Sequence, residues 1–222
     1  MFYRALRAVC VLIAKALFRP RVEGLENIPA KGAVILASNH LSVFDSILIP
    51  LVVTRQVNFL AKEEYFLGRS PYKRMRAAFM RAIGQVPVQR GQARAGVAAL
   101  EVASKVLEQG NVFGIYPEGT RSRDLRLHRG HTGVGQLALS TGAVVVPMAV
   151  IGTEQIQPPG QRFPRPSRVT IRIGKPLNFS RYDRMHASPA IRRAVTDEIM
   201  YAIMELSGQE YVDAYHKLPD AA

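Results

Sequence analysis

The 222-residue chain has no tryptophan and a single cysteine, and its acidic side chains are outnumbered, 17 Asp and Glu against 30 Lys and Arg. The lone cysteine, Cys10, excludes an intramolecular disulfide and any cysteine-based metal cluster, and it fits a reducing compartment. No internal repeat and no long run of like charge interrupts the sequence. The N-terminal apolar stretch Ala8–Ala14 falls far short of the roughly 20 residues that cross a bilayer. Helix-turn-helix, RNA-recognition and zinc-finger signatures are missing. A basic nucleic-acid-binding module therefore stands only as the alternative from a different functional class.

What is present describes a folded domain. Hydrophobic residues make up 48% of the chain and charged residues 21%, and the length suits one domain with a sizeable core. The net charge of +13 draws the chain toward anionic partners. Because the bases are spread and mixed with apolar residues, an anionic membrane surface together with anionic ligands is the preferred partner class, beside the plainer alternative of a basic surface. Met1–Phe18 reads as an amphipathic helix, with Arg4, Arg7 and Lys15 recurring on one side of Phe2, Leu6, Val9, Leu12, Ile13 and Leu17. Such a helix lies in the membrane interface with its bases near the headgroups, or else packs on its own domain. A signal peptide fits less well, because Lys15 interrupts the apolar region and no small-x-small cleavage site follows.

Strand and helix patterns alternate after residue 20. Ala33–Ala37 is a continuous apolar run of the kind buried on both faces of a sheet, and Asp45–Val53 reads as a helix. Strands are expected at Val57–Ala61, Gln85–Val88, Val112–Tyr116, Ala143–Ile151 (broken at Pro147) and Arg168–Ile173. Helices are expected at Pro71–Ile83, Gln92–Glu108, Gly133–Ser140 and Ser188–Leu206, the last capped by Ser188 with Pro189 at its first position. This alternation predicts a single α/β domain with a mixed, mostly parallel sheet flanked by helices.

Two short words stand at strand ends. Asn39-His40-Leu41-Ser42-Val43-Phe44-Asp45 places an imidazole and a carboxylate five residues apart, where ligand crevices of α/β sheets open. His40 can take a proton from an alcohol, and Asp45 can hold one ring nitrogen and stabilise the imidazolium. The bland alternative is a helix cap at Asp45. In the second word, Tyr116-Pro117-Glu118-Gly119-Thr120-Arg121-Ser122, Gly119 lets the backbone approach a ligand and Arg121 offers a planar fork for a phosphate. The alternative there is a structural turn carrying a surface ion pair. Lys62 and Arg90 follow other strands and can converge on the same crevice, or remain solvated ends. The pair His128 and His131 has metal-like spacing but no third ligand in sight, so no metal site is assigned. If His131 instead faces an anion, its contribution fades above roughly pH 7.

From Val22 to Leu206 these features resemble the glycerophospholipid acyltransferases. His40 and Asp45 match that family's H-x-x-x-x-D pair, and Arg90, after Gly84-Gln85-Val86-Pro87-Val88, looks like the arginine of its second block. Glu118, Gly119, Thr120 and Arg121 match the third block, and Val146-Pro147-Met148 looks like the fourth. Together with the N-terminal pattern, this divides the chain into an amphipathic membrane-associating helix over residues 1–20 and an acyltransferase domain over residues 21–222. The resemblance implies His40 as general base oriented by Asp45. Lys62, Arg90, Glu118, Gly119, Thr120 and Arg121 would cradle the acceptor phosphate, with Asn39 and His131 accessory. The implied partners are a lysophospholipid acceptor, lysophosphatidate above all, and an acyl-CoA or acyl-carrier-protein donor, with no other cofactor. The implied location is peripheral or monotopic, on the cytoplasmic face of the cell membrane. Glycerol 3-phosphate, another lysophospholipid or a glycolipid would suit the same pair of residues. A catalytically idle scaffold is the remaining alternative.

Overall fold

The computed structural model describes residues 11, 12, 14, 16–88, 95–158, 161, 163–182, 185 and 187–216. The described part of residues 11–18 is helical, and Ala14 and Phe18 are buried in the core. The remainder of the expected N-terminal helix lies outside the described residues. No helix among the described residues is long and apolar enough to cross a membrane.

The chain folds into a seven-stranded sheet of order β1-β8-β7-β2-β5-β3-β4. The strands are β1 (Arg21–Glu23), β2 (Val34–Ser38), β3 (Val57–Lys62), β4 (Gln85–Val88), β5 (Val112–Ile115), β7 (Val144–Ile151) and β8 (Thr170–Ile173). β7, β2, β5, β3 and β4 run parallel, while β8 is antiparallel to β7 and carries β1 parallel to itself. The five parallel strands therefore end on one edge. Helices α1 (Asp45–Val52), α2 (Pro71–Ala82), α3 (Ala95–Glu108), α4 (Gly133–Thr141) and α5 (Pro189–Ser207) connect or follow them. A small pair, β6 (Leu127–His128) with β9 (Tyr211–Val212), ties a loop to the C-terminal segment.

β2 shows why a continuous apolar run belongs at the centre. Val34 and Leu36 enter a core formed with α1, Phe18 and Ile156, whereas Ile35 and Ala37 enter a second core with α3, α4 and α5. Both faces are covered, so neither set of alternating positions can be polar. At α5, the Ser188 side chain accepts from the Ile191 N–H and Pro189 occupies the first turn, as the sequence predicts.

Pro147 departs from expectation, because β7 runs unbroken through it. Its carbonyl accepts from the Gly174 N–H just past the end of β8, and regular pairing resumes only at the Val145–Leu177 bridge. The proline thus sits where the antiparallel ladder has a gap, which is where a missing donor costs least. Pro50 inside α1 is accommodated differently. A proline there cannot bond the Ser46 carbonyl one turn back, and the Gln85 side-chain amide donates to that carbonyl at 3.1 Å.

Candidate active site

β2 delivers His40 to the edge where the parallel strands end, and Asp45 opens α1 five residues later. The wholly buried Asp45 carboxylate turns back over the intervening loop. Its Oδ2 accepts from the Leu41 and Ser42 backbone N–H groups and lies against His40 Nδ1, each at 2.8 Å. The two backbone donors fix the oxygen, and the oxygen fixes the ring. That contact assigns the proton to Nδ1 and leaves Nε2 of the mostly buried imidazole with a free lone pair.

β5 supplies the other wall. The Tyr116 ring stacks on the His40 ring with centroids 3.8 Å apart and planes 8° from parallel. Phe59 of β3 stacks behind it at 5.2 Å, and the Tyr116 hydroxyl meets Ser46 Oγ at 2.9 Å. Burial, and then the charge of Asp45, push the Tyr116 phenol well above its ordinary pKa, so it stays a neutral hydroxyl. Gly114 permits this stack, since a Cβ there would meet the Phe59 ring at 2.2 Å.

The loop after Tyr116 closes on itself through Gly119 N–H to Tyr116 O (2.9 Å), and Gly119 takes a positive φ of 73°. Ser122 N–H donates to the His40 carbonyl at 2.8 Å, so both sequence words share one hydrogen bond. Gly119, Thr120 and Arg121 line a cavity of about 530 Å³ together with His40 and Ser46. Phe59, Leu60, Val88, Leu100, Ala103 and Leu137 add an apolar wall.

The other predicted site residues are placed differently. Glu118 does not line this cavity; it is buried, and its Oε1 accepts from the His128 N–H at 2.8 Å. Burial raises its pKa to about 7, opposed in part by His128 and by the His40 backbone. Asn39 bridges strands: its amide donates to Val150 O and Gln209 Oε1, and it accepts from Val150 N–H. Lys62 ends β3 on the correct edge, exposed and paired in register with Val88. Arg90 lies outside the described residues.

His128 and His131 do not face each other. His131 stacks on Tyr215 at 4.7 Å and lies beneath Gly119, while its N–H holds the Pro117 carbonyl. Desolvation and the charge of Arg193 lower the His131 pKa, so its cationic form is confined to more acidic pH than an ordinary histidine's. His128 contacts Asp124 at 3.1 Å and packs edge-on against His216. Asp124 is already engaged by Ser122 Oγ and by the Arg126 backbone and guanidinium, so the trio reads as a loop brace.

Sequence inspection missed Tyr116 and Gln209. Tyr116 opened the second word and ended a strand, but nothing local gave its ring a role. Gln209 joins Asn39 to the Leu125 carbonyl from 170 residues away, with no local signal.

Comparison with known proteins follows the same lines. The family model described as Acyltransferase matches residues 19–151. The chain is 32% identical over 172 residues to the chloroplastic 1-acyl-sn-glycerol-3-phosphate acyltransferase LPAT1 of Arabidopsis thaliana, covering 75% of this chain and 46% of that protein. It thus spans about half the length of this plant relative. Against the 1-acyl-sn-glycerol-3-phosphate acyltransferase of Bacillus subtilis, identity is 26% over 191 residues, covering 85% of this chain and 88% of the relative. The crystal structure of the 1-acyl-sn-glycerophosphate (LPA) acyltransferase PlsC from Thermotoga maritima superposes with a TM-score of 0.66 at 25% identity, over 93% of this chain and 82% of that one.

Proposed function

The chain belongs to the acyltransferase family, and on that premise we propose that it moves a fatty acyl group from a thioester donor to the free hydroxyl of lysophosphatidate, giving phosphatidate. The observation that carries this reading is the 2.8 Å His40–Asp45 contact in a cavity that also presents Arg121 and Thr120. In the proposed mechanism, the acceptor hydroxyl attacks the thioester carbonyl carbon while His40 Nε2 removes its proton. Asp45 stabilises the resulting imidazolium. Collapse of the tetrahedral intermediate breaks the C–S bond, and the imidazolium returns the proton to the departing sulfur. The products are one ester and one free thiol. A thioester is already activated, so positioning and a base carry most of the demand on the protein.

Arg121 is proposed to hold the acceptor phosphate, with Lys62 and Arg90 reaching the same anion. The apolar wall from Phe59 to Leu137 suits the acyl chain. The proposed donor is acyl-CoA or acyl-carrier protein, acting at the cytoplasmic face of a membrane, with the N-terminal segment at its interface through exposed residues such as Leu12 and Leu17 while Ala14 and Phe18 pack on the domain. The net charge of +13 supports that location.

The test is thiol release from palmitoyl-CoA or palmitoyl-carrier protein in detergent micelles, comparing wild type with His40→Ala. Release that requires lysophosphatidate and falls by about 10²–10⁴ in the variant is expected. Activity only with glycerol 3-phosphate, a larger lysophospholipid or a glycolipid would move the acceptor while keeping His40. Equal turnover by His40→Ala would refute the mechanism.

A further inference from the structure

From Leu67 to Met75, nine consecutive residues are all solvent-exposed. Large apolar side chains are included, with Leu67 56% exposed, and Tyr72 and Met75 each 66% exposed. Arg69, Lys73 and Arg74 are interleaved with them, and no acid falls within the segment. Among the described residues, no ion pair engages these three bases. Their neighbours behave otherwise. Arg76 donates to the Glu64 and Tyr65 carbonyls and lies over the Tyr65 ring, and Arg81 lies over Phe66, so those two cations hold the turn in place.

The position of this segment in the fold gives it meaning. β3 ends at Lys62 on the edge that carries His40 and Tyr116, and α2 returns the chain to the start of β4. The beginning of α2 is therefore its end nearer the cavity, and Val88 at the end of the adjacent β4 lines that cavity. An exposed aromatic, a leucine and a methionine among unpaired cations match the chemistry of a lipid interface, where apolar side chains enter the acyl boundary and bases meet headgroups.

We propose that Leu67–Met75 is a membrane-docking surface for anionic phospholipid, set beside the cavity so that a lipid acceptor passes from bilayer to site without crossing water. This surface is separate from the N-terminal segment and deepens the acyltransferase reading, on which its purpose rests. Charge alone would also suit an acidic carrier protein or a nucleic acid. The three large apolar side chains, exposed to water in the free protein, favour the bilayer.

The experiment is sedimentation of the full chain with mixed phosphatidylglycerol–phosphatidylcholine vesicles and with phosphatidylcholine alone. Wild type is compared with Arg69→Gln/Lys73→Gln/Arg74→Gln and with Leu67→Ser/Tyr72→Ser/Met75→Ser, each checked for cooperative thermal unfolding. Each interfacial base is worth roughly fivefold in binding, so the charge variant should lose on the order of a hundredfold on anionic vesicles. The apolar variant should weaken on both vesicle types. Wild-type binding by either folded variant overturns the proposal. So does a patch that binds carrier protein or duplex DNA while the variants bind vesicles like wild type. Because vesicle binding needs no turnover, a chain that docks through this surface yet releases no thiol would refute acyl transfer and leave the docking surface standing.

Discussion

The imidazole of His40 and the phenol ring of Tyr116 lie face to face, 3.8 Å between centroids and 8° from parallel. Asp45 sets the ring's rotation through one nitrogen, and Tyr116 sets its plane. Two restraints, one from the start of α1 and one from just past the end of β5, leave the imidazole little freedom beyond that orientation. Tyr116→Phe keeps the stack and loses only the Ser46 contact, so kcat should fall by no more than a few-fold. Tyr116→Leu removes the ring and should lower kcat by roughly tenfold, in line with about 0.5–1.5 kcal/mol for an aromatic pair. KM should change little in both. A Tyr116→Leu enzyme as fast as Tyr116→Phe would show that the stack does not position the imidazole.

Glu118 makes stability depend on pH in an unusual direction for a carboxylate. Its pKa rises from 4.5 to about 7 on folding. The native state therefore binds the proton more tightly than the unfolded chain does. That stabilisation is complete below the unfolded value and is lost as pH climbs through about 7. At about 1.4 kcal/mol for each pH unit between the two values, the effect is on the order of 3 kcal/mol. Glu118→Gln keeps the acceptor for His128 N–H and removes the charge. The difference in Tm between Glu118→Gln and wild type should grow in the variant's favour from pH 5 to pH 8, and parallel Tm curves would contradict the assignment.

Arg55 works at the opposite edge of the sheet. Its guanidinium donates to the carbonyls of Pro29 (2.9 Å), Gly32 (2.8 Å) and Gly110 (2.7 Å), clamping the turn before β2 to the turn before β5. Arg55→Met should cost about 2–4 kcal/mol in denaturant unfolding, because three carbonyls lose a charged donor. Well below its lowered Tm, turnover should match wild type. A large loss of kcat at low temperature would mean that this clamp controls the site.

Ala103 is wholly buried and lines the apolar wall of the cavity. Ala103→Phe should shorten the preferred acyl chain, lowering kcat/KM for palmitoyl donors about tenfold or more relative to octanoyl donors. An unchanged chain-length profile would place the acyl group elsewhere.

Periodicity made the frame of this protein legible. The apolar run of β2, the capping pair Ser188 and Pro189, and the limits of Gln85–Val88 are local signals with local causes. The His40–Asp45 contact was legible for the same reason, since five residues of turn suffice to build it. Tyr116 was not, because its meeting with His40 depends on β2 and β5 lying side by side. Glu118 was misleading in a different way. A glutamate in a Pro-Gly turn has every local mark of a surface residue, and only the fold turns it toward the His128 backbone. Pro147 looked like a strand breaker because the gap in its antiparallel partner is a property of β8 and not of β7.

The loop that carries Pro117–Ser122 is held from below by residues near the end of the described chain. Leu127 N–H bonds Glu210 O, Arg129 N–H bonds Val212 O, Gln209 joins Leu125 to Asn39, and Tyr215 stacks on His131. Synthesis runs from the N-terminus, so these contacts form only after residues 209–215 have been made. His40 and Asp45 can meet early, but the wall opposite them is pinned only after residue 215 has emerged. A nascent chain can thus hold the His40–Asp45 pair before the loop opposite it is braced, and the cavity takes its full form only once that brace is in place.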